Sequence, residues 1–373
     1  MSTLSEAGHS SGRGERTTEL VRLSKSSPLA PGLAAAWSRE LSLQAQRGEC
    51  SGPFLGPEVA NALGRSCDDV AVLVGYDDGQ PKRFLAMHVA ASGRARALGG
   101  RFCDQSGPTG SMTSELLESM LKQVALKSWR YGRNPLVHGL ASQHIWSRSV
   151  SHIVEIGEGL DDLRRRRRAD GSRFVDQLLR KERKLEREVG PLRFEFAHGE
   201  QAALDKLLEW KSAQRQQTGS VDVFRQGWAR AALENLHASG NGGKLNVLWA
   251  GDQLVAMHFG LADQRTLHWW IPTYDRRWAT FSPGLILMLH LIRACRERGI
   301  QEIDLGHGDE RYKASLATLT RGLYSGAVDE SGVRCAVGRG KAWVREAVRQ
   351  SSLETGWIAT KRIARRSSFF RQP

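Results

Sequence analysis

YDRRWATFSPGLILMLHLIRACRERGIQEIDLGHGDERYK, residues 274–313, fixes an order: a loop, an apolar helix, a short strand and a second polar loop. The turn made by Phe281, Ser282, Pro283, Gly284 and Leu285 opens the helix. Pro283 is preset for a helix start and Gly284 lets a ligand come close. Unpaired N–H groups and the positive dipole end at such a start suit a pyrophosphate. The plainer reading is an ordinary helix start, because Ser-Pro-Gly before an apolar run is common for local reasons. An expected strand over Leu267 to Thr273 leads the chain into the turn, which gives the order strand, loop, helix.

The strand that follows carries Asp304, and His307, Asp309, Tyr312 and Lys313 crowd after it. An amine attacking a thioester needs a proton acceptor and a donor for the departing sulfur. Asp304 or His307, directly or through water, would accept, and Tyr312 would donate. Lys313 would hold an anionic acceptor or the developing oxyanion. The same residues also read as a helix start, with Asp309 as cap, Glu310 favourable to the dipole and Tyr312 packing inward.

Working outward, VAVLVGYDDGQPKRFLAMHVA reads as a hairpin: Val70 to Tyr76, a turn at Asp77-Asp78-Gly79, then Phe84 to Ala90. A further strand is expected near Ala95 to Phe102. KLNVLWAGDQLVAMHFGLA repeats the theme, and both returning strands contain Ala-Met-His, at 86–88 and 256–258. The pair suggests two copies of one α/β module about 170 residues apart. A helix is expected at Leu33 to Gln46, and a helical stretch at 169–218 whose first half is amphipathic and stops at Gly190-Pro191.

The chain has 373 residues and 40% hydrophobic content, enough for cores. Lys and Arg outnumber Asp and Glu by 54 to 40, and the net charge of +14 favours an anionic partner: CoA, a nucleotide-sugar, nucleic acid or a membrane face. Arg164 to Arg168 read either as a solvated face or as a clamp for the phosphates of a nucleotide or lipid-linked substrate. No aromatic residues interleave with that run, which speaks against a nucleic-acid signal. Trp269, Trp270 and Trp278 read first as core. If Trp270 faces a cleft, a sugar or acyl chain would lie on it.

The five cysteines show no CxxC spacing and the histidines no HxxxH or HExxH, so reduced thiols and no metal site are expected. The polar N-terminus lacks the apolar core of a signal peptide, and no apolar run is long enough to span a bilayer. A cytoplasmic location is expected, with peripheral contact at the inner face of the membrane through the basic tail. From Gly340 on, that tail has eight Lys or Arg against two Glu.

By these residues the chain resembles the GNAT-like acyltransferases associated with cellulose and exopolysaccharide biosynthesis, relatives of the Fem-type aminoacyltransferases. The resemblance runs from about Asp69 to Ala327 and is most specific at YDRRWATFSPGLILM through IDLGHGDERYKASLA. DQSGP at 104–108 looks like the strand-end motif of the first half, which brings in Asp104 beside Trp270 and Asp309 as substrate-binding candidates. One departure is visible: aligned on Gly284, the wider superfamily's signature puts Ala279 and Ser282 where an Arg or Gln and a Gly belong.

The resemblance implies an α/β fold of two tandem GNAT-like modules, each a mixed, mostly antiparallel sheet flanked by helices, with a helical insertion between them. The expected division is a disordered segment at 1–27, a first module at 28–160 and a basic helical connector at 161–218. A second module with the acyl-donor site follows at 219–332, then a basic helical tail at 333–373. The implied activity is transfer of an acyl group from acyl-CoA, acetyl-CoA foremost, to an amine or hydroxyl of a cell-envelope saccharide or its nucleotide- or lipid-linked precursor. The alternatives are an aminoacyl-tRNA-dependent Fem-like transferase, with tRNA as partner, or a non-catalytic partner of a polysaccharide synthase.

Overall fold

The computed structural model describes residues 16–49, 52–135, 141–219, 221–240, 242–329 and 335–341. The first half runs β1 (Arg16–Arg22), α1 (Pro31–Gln46), α2 (Pro57–Gly64), β2 (Val70–Asp77), β3 (Gln80–Val89), β4 (Arg94–Ala97), α3 (Ser114–Gln123), β5 (Ser128–Asn134) and β6 (Ile145–Glu155). Two helices follow, α4 (Leu160–Ala169) and α5 (Phe174–Val189). The second half runs β7 (Leu192–Glu195), α6 (Gln201–Gln217), α7 (Gly227–Ala238), β8 (Gly243–Ala250), β9 (Gln253–Ala262), β10 (Thr266–Tyr274), α8 (Pro283–Glu297), β11 (Glu302–His307), α9 (Arg311–Leu316) and β12 (Leu319–Asp329).

Strand, two helices, three strands, helix, strand: the same order occurs in both halves. All the strands join one sheet of 12, ordered β1-β2-β3-β4-β5-β12-β6-β11-β10-β9-β8-β7. The halves exchange their last strands, since β12 pairs with β5 and β6 pairs with β11. The seam is the antiparallel pair β6 with β12. Among the described residues, parallel pairing occurs only at β4 with β5 and at β10 with β11, each joined through a helix as a parallel crossover requires.

Both faces of the sheet are covered, which is why β2 and β8 read as near-continuous apolar runs. In β2, Val70, Val72 and Val74 enter one core and Ala71 and Leu73 another. The first core also takes Trp37, Val59 and Leu63 from α1 and α2, and Leu204, Leu207, Ala232 and Leu236 from α6 and α7. Helices of both halves therefore share one face and one core. On the other face α3 covers the first half, while α4, α5 and α8 cover the second.

Several expectations need correction. Residues 16–22, placed by sequence in a disordered segment, form β1, because a full ladder onto β2 and the anchors Leu20 and Val21 order them. Residues 1–15 lie outside the described residues. The connector at 161–218 is not all helix, since β7 interrupts it and adds an edge strand to β8. By order of elements, β7 and α6 are the counterparts of β1 and α1. The strand expected at 95–102 ends at Ala97, after which the chain turns inward and buries Leu98 and Phe102. In the tail, residues 335–341 are helical and 342–373 lie outside the described residues.

Candidate functional site

β10 and β11 pair for only three residues, ending at His268 opposite Asp304, and beyond that point β10 follows β9 while β11 follows β6. The strands thus splay from His268 and Asp304. Into the fork comes the loop after β4, with Asp104 and Gln105. His268 Nε2 lies 3.1 Å from Asp104 Oδ2, and its Nδ1 lies 3.6 Å from Asp304 Oδ2. Asp304 also accepts from Gln105 Nε2 at 2.7 Å, from the Gly306 N–H at 2.8 Å and from the Ser151 hydroxyl of β6. Arg133 of β5 extends the chain, with Nη1 3.5 Å from Asp104 Oδ1 and 3.4 Å from both ring nitrogens of His307.

Charges alternate along this line: Asp304, His268, Asp104, Arg133. Burial opposes ionisation of each acid, but the His268 charge overrides it, so Asp104 is held below the usual carboxylate range and Asp304 falls to about 2. For His268, burial favours the neutral ring, yet Asp304 and Asp104 raise its pKa to about 9. At neutral pH the fork therefore holds a compensated ionic chain. Gly306 makes it fit: its φ is +74°, and a Cβ there would stand 3.0 Å from Asp104 Oδ2.

Asp304 is thereby recast. With His268, Gln105, Ser151 and the Gly306 N–H around it and 2% exposure, it is placed to position the fork rather than to take a substrate proton. His307, at the exposed end of β11, is the group open to solvent. Partial desolvation and then the Arg133 charge lower its pKa, so it is neutral near pH 7 and able to accept a proton. Tyr312 is half-buried against the second core, and burial pushes its pKa up to about 12, which keeps its proton available.

Lys313 is buried and its Nζ donates to His307 O at 2.7 Å and meets Glu310 Oε2 at 3.1 Å, so it ties the polar loop to α9. Glu310, not Asp309, is the N-cap of α9, because helical backbone begins only at Arg311. Asp309 is exposed and takes no part in this network. Trp270 stands among Phe54, Phe102 and Phe259, with its indole N–H on Phe102 O at 2.9 Å, so most of its faces are used in packing.

Sequence reading did not single out His268, Arg133, Gln105, Ser151 or Lys211. Lys211 reaches from α6 to Pro272 O at 2.8 Å, where burial and then Arg215 lower its pKa to about 8 despite the charges of Asp104 and Glu310. The available signal was His258 and His268 inside apolar strands, since buried polar residues there need partners.

At the start of α8, Ser282 adopts the left-handed conformation (φ 59°) and makes no side-chain cap. The N–H groups of Leu285 and Ile286 both turn back to Ser282 O, at 2.9 and 3.1 Å. Gly284 offers the remaining donor. A Cβ at Gly284 would make only an ordinary contact with Tyr274, so nothing within the protein demands glycine there. Lys181 of α5 donates to Ser282 Oγ at 2.8 Å, and Lys184 lies over the Phe281 ring at 5.5 Å. The end is uncapped, lacks acid in its first turn and has lysines beside it, so the residues present fit an anionic phosphate group. Among the described residues no group of His, Cys, Asp and Glu is arranged to hold a metal ion, and no helix is long and apolar enough to cross a membrane.

Residues 172–314 match the family model described as an acetyltransferase (GNAT) domain. The matched stretch contains α5 to α8, the fork at β10 and β11, and the polar loop. No curated protein matches the chain. Among solved structures, it is similar to the C-terminal domain of a putative lysylphosphatidylglycerol synthetase from Agrobacterium fabrum, with TM-score 0.50, 10% identity, and coverage of 82% of this chain and 96% of that one. It is also similar to a tandem GNAT protein from the clavulanic acid biosynthesis pathway, with TM-score 0.46, 12% identity, and coverage of 84% and 100%. FemX gives TM-score 0.46 and 10% identity over 68% of this chain and 87% of that one. With the internal repeat described above, the fold is that of two tandem GNAT-like modules whose strands join in one large, mostly antiparallel sheet flanked by helices, rather than in a separate sheet for each module.

Proposed function

We propose that the protein is an acyltransferase that moves an acyl group from acyl-CoA, acetyl-CoA foremost, to an amine or hydroxyl of a cell-envelope saccharide or its nucleotide- or lipid-linked precursor. The observation that carries this reading is the open, lysine-flanked start of α8 next to a splayed strand pair, inside the segment that matches the GNAT model. Gly284, Ser282 and Lys181 would hold the pyrophosphate of CoA. The acceptor's nitrogen or oxygen forms the new bond to the acyl carbon as the carbon–sulfur bond breaks. His307 takes the acceptor's proton, and Tyr312 gives one to the departing thiolate. Asp304, His268, Asp104 and Arg133 hold the strand end that presents His307. A cytoplasmic site of action, with peripheral contact at the inner membrane face, belongs to the same reading.

Calorimetry with acetyl-CoA and longer acyl-CoAs tests it: folded protein that binds none of them removes the CoA donor. The net charge of +14 favours a second reading, transfer from an aminoacyl donor carried on tRNA. It requires salt-sensitive retention of charged tRNA, with affinity falling steeply as salt rises.

A further inference from the structure

The arginine run at 164–168 divides by helical position. On α4, Arg165 pairs with Glu158 and Asp162, and Arg166 with Asp162 and the Glu155 carbonyl. Arg167 donates to the carbonyls of Ala314, Ser315 and Ala317 around the end of α9. These three hold α4 in place. Arg164 and Arg168, one turn apart, face α5 instead, where Asp176 accepts from Arg164 Nε at 2.6 Å and from Arg168 Nε and Nη2 at 2.7 Å each.

Arg173, Arg180 and Arg183 come to the same place from α5, on the face that also carries Asp176. The pocket between the two helices has a volume of about 350 Å³, within the range of about 300–1,000 Å³ common for ligand sites. Five guanidinium groups line it against one carboxylate. Asp176 is already engaged by Arg164 and Arg168, while Arg173, Arg180 and Arg183 have no hydrogen bond or ion pair among the described residues. Like charges held together without a counter-charge repel, and the apolar face of α5, with Val175, Leu178 and Leu185 buried, fixes them there regardless. Planar guanidinium groups in such number match the paired oxygens of phosphates. No aromatic side chain lines the pocket, so it lacks the stacking surface that a single-stranded nucleic acid uses.

We infer that the α4–α5 pocket binds a diphosphate group, the chemistry shared by nucleotide-linked and lipid-linked carriers. The site is separate from the start of α8: Lys181, next in sequence to Arg180, turns to Ser282, whereas Arg180 and Arg183 turn to the pocket. Three unpaired guanidinium groups suit a ligand of two or three negative charges better than a single-charge anion.

Titration of the full chain with inorganic pyrophosphate, read by calorimetry, tests the assignment. The expected result is saturable binding that weakens about tenfold for each arginine lost in Arg180→Gln and Arg183→Gln, the scale of one charge-assisted hydrogen bond. The melting temperature should not fall in either variant, since neither side chain has a partner among the described residues and each faces only like charge and an engaged carboxylate. Acetyl-CoA binding should also be unchanged, which separates this proposal from the acyl-donor reading. Competition by UDP assigns a nucleotide carrier, and competition by a polyprenyl diphosphate in detergent micelles assigns a lipid carrier. Pyrophosphate affinity that survives both substitutions, or falls instead in Lys181→Gln, overturns the site. So does displacement by neither ester, or by tRNA alone.

Discussion

α3 and α8 occupy the same place in the two modules, each leading from one parallel strand to the next, yet their N-terminal ends are opposites. α3 is closed: the Thr113 side chain accepts from the Leu116 N–H at 3.2 Å, and Glu115 sits in the first turn. α8 is open: Ser282 caps nothing, no acid follows and Lys181 stands by. The loops before them differ as well. In the first module the chain between β4 and α3 is largely buried and delivers Asp104 and Gln105 to the fork of the second. In the proposed reading the start of α8 binds an anion, whereas the first module closes the matching helix end and uses the loop before it to brace the fork.

The largest effect should come from the group facing solvent. His307→Gln should lower kcat by about 10²–10⁴-fold, as loss of a general base does, while acetyl-CoA binding stays within a factor of two. Equal loss of turnover from any residue of the first module's α3 end would dissolve the contrast. Next, Asp304→Ala should cost about 3–5 kcal/mol in denaturant unfolding, because it leaves buried His268 with Asp104 as its one carboxylate and strips Gln105, Ser151 and the Gly306 N–H of their acceptor. A small cost there would mean that the ionic chain is not what holds the fork. Thr113→Ala should cost about 0.5–2 kcal/mol, the usual worth of a lost cap, and leave donor affinity untouched.

A smaller, pH-dependent effect follows from His268. Its folded pKa of about 9 lies above the ordinary value of 6.5, so its contribution to stability is fully present below about 6.5 and is lost as pH rises through about 9. Asp304, lowered to about 2 from 3.8, contributes above about 3.8 and loses that contribution as pH falls through about 2. Melting temperature should fall from neutral pH toward pH 9, and His268→Gln should flatten that slope. A slope unchanged by the substitution would remove His268 from the fork's energetics.

Much of the fold was legible because periodicity wrote it: the hairpins β2–β3 and β8–β9, the apolar α8, and the repeat marked by Ala-Met-His. β1 and β7 were not, since each is a short edge strand whose order comes from the neighbour it pairs with. Asp304, His307 and Tyr312 stood out because they are close in sequence. The meeting of Asp104 with His268 and of Gln105 with Asp304 is long-range, and no local pattern announces a contact made by a loop of one half entering the fork of the other. Lys313 was read from sequence as a cation for an anionic acceptor or the developing oxyanion, whereas in the structure it is buried and donates to the His307 carbonyl. The departure at Ser282 was visible, and the structure gives it a physical form: a residue in left-handed backbone whose hydroxyl is taken by Lys181.

The central claim is that the start of α8, and not that of α3, holds the acyl donor. Calorimetric titration of acetyl-CoA into Gly284→Val, with Thr113→Ala as the matched control, tests it most directly. Binding should weaken about tenfold or more in Gly284→Val, because the added side chain keeps the phosphate from the residue-284 N–H and so forfeits a charge-assisted hydrogen bond, and remain unchanged in Thr113→Ala. Unchanged affinity in Gly284→Val, or loss in Thr113→Ala alone, would contradict it.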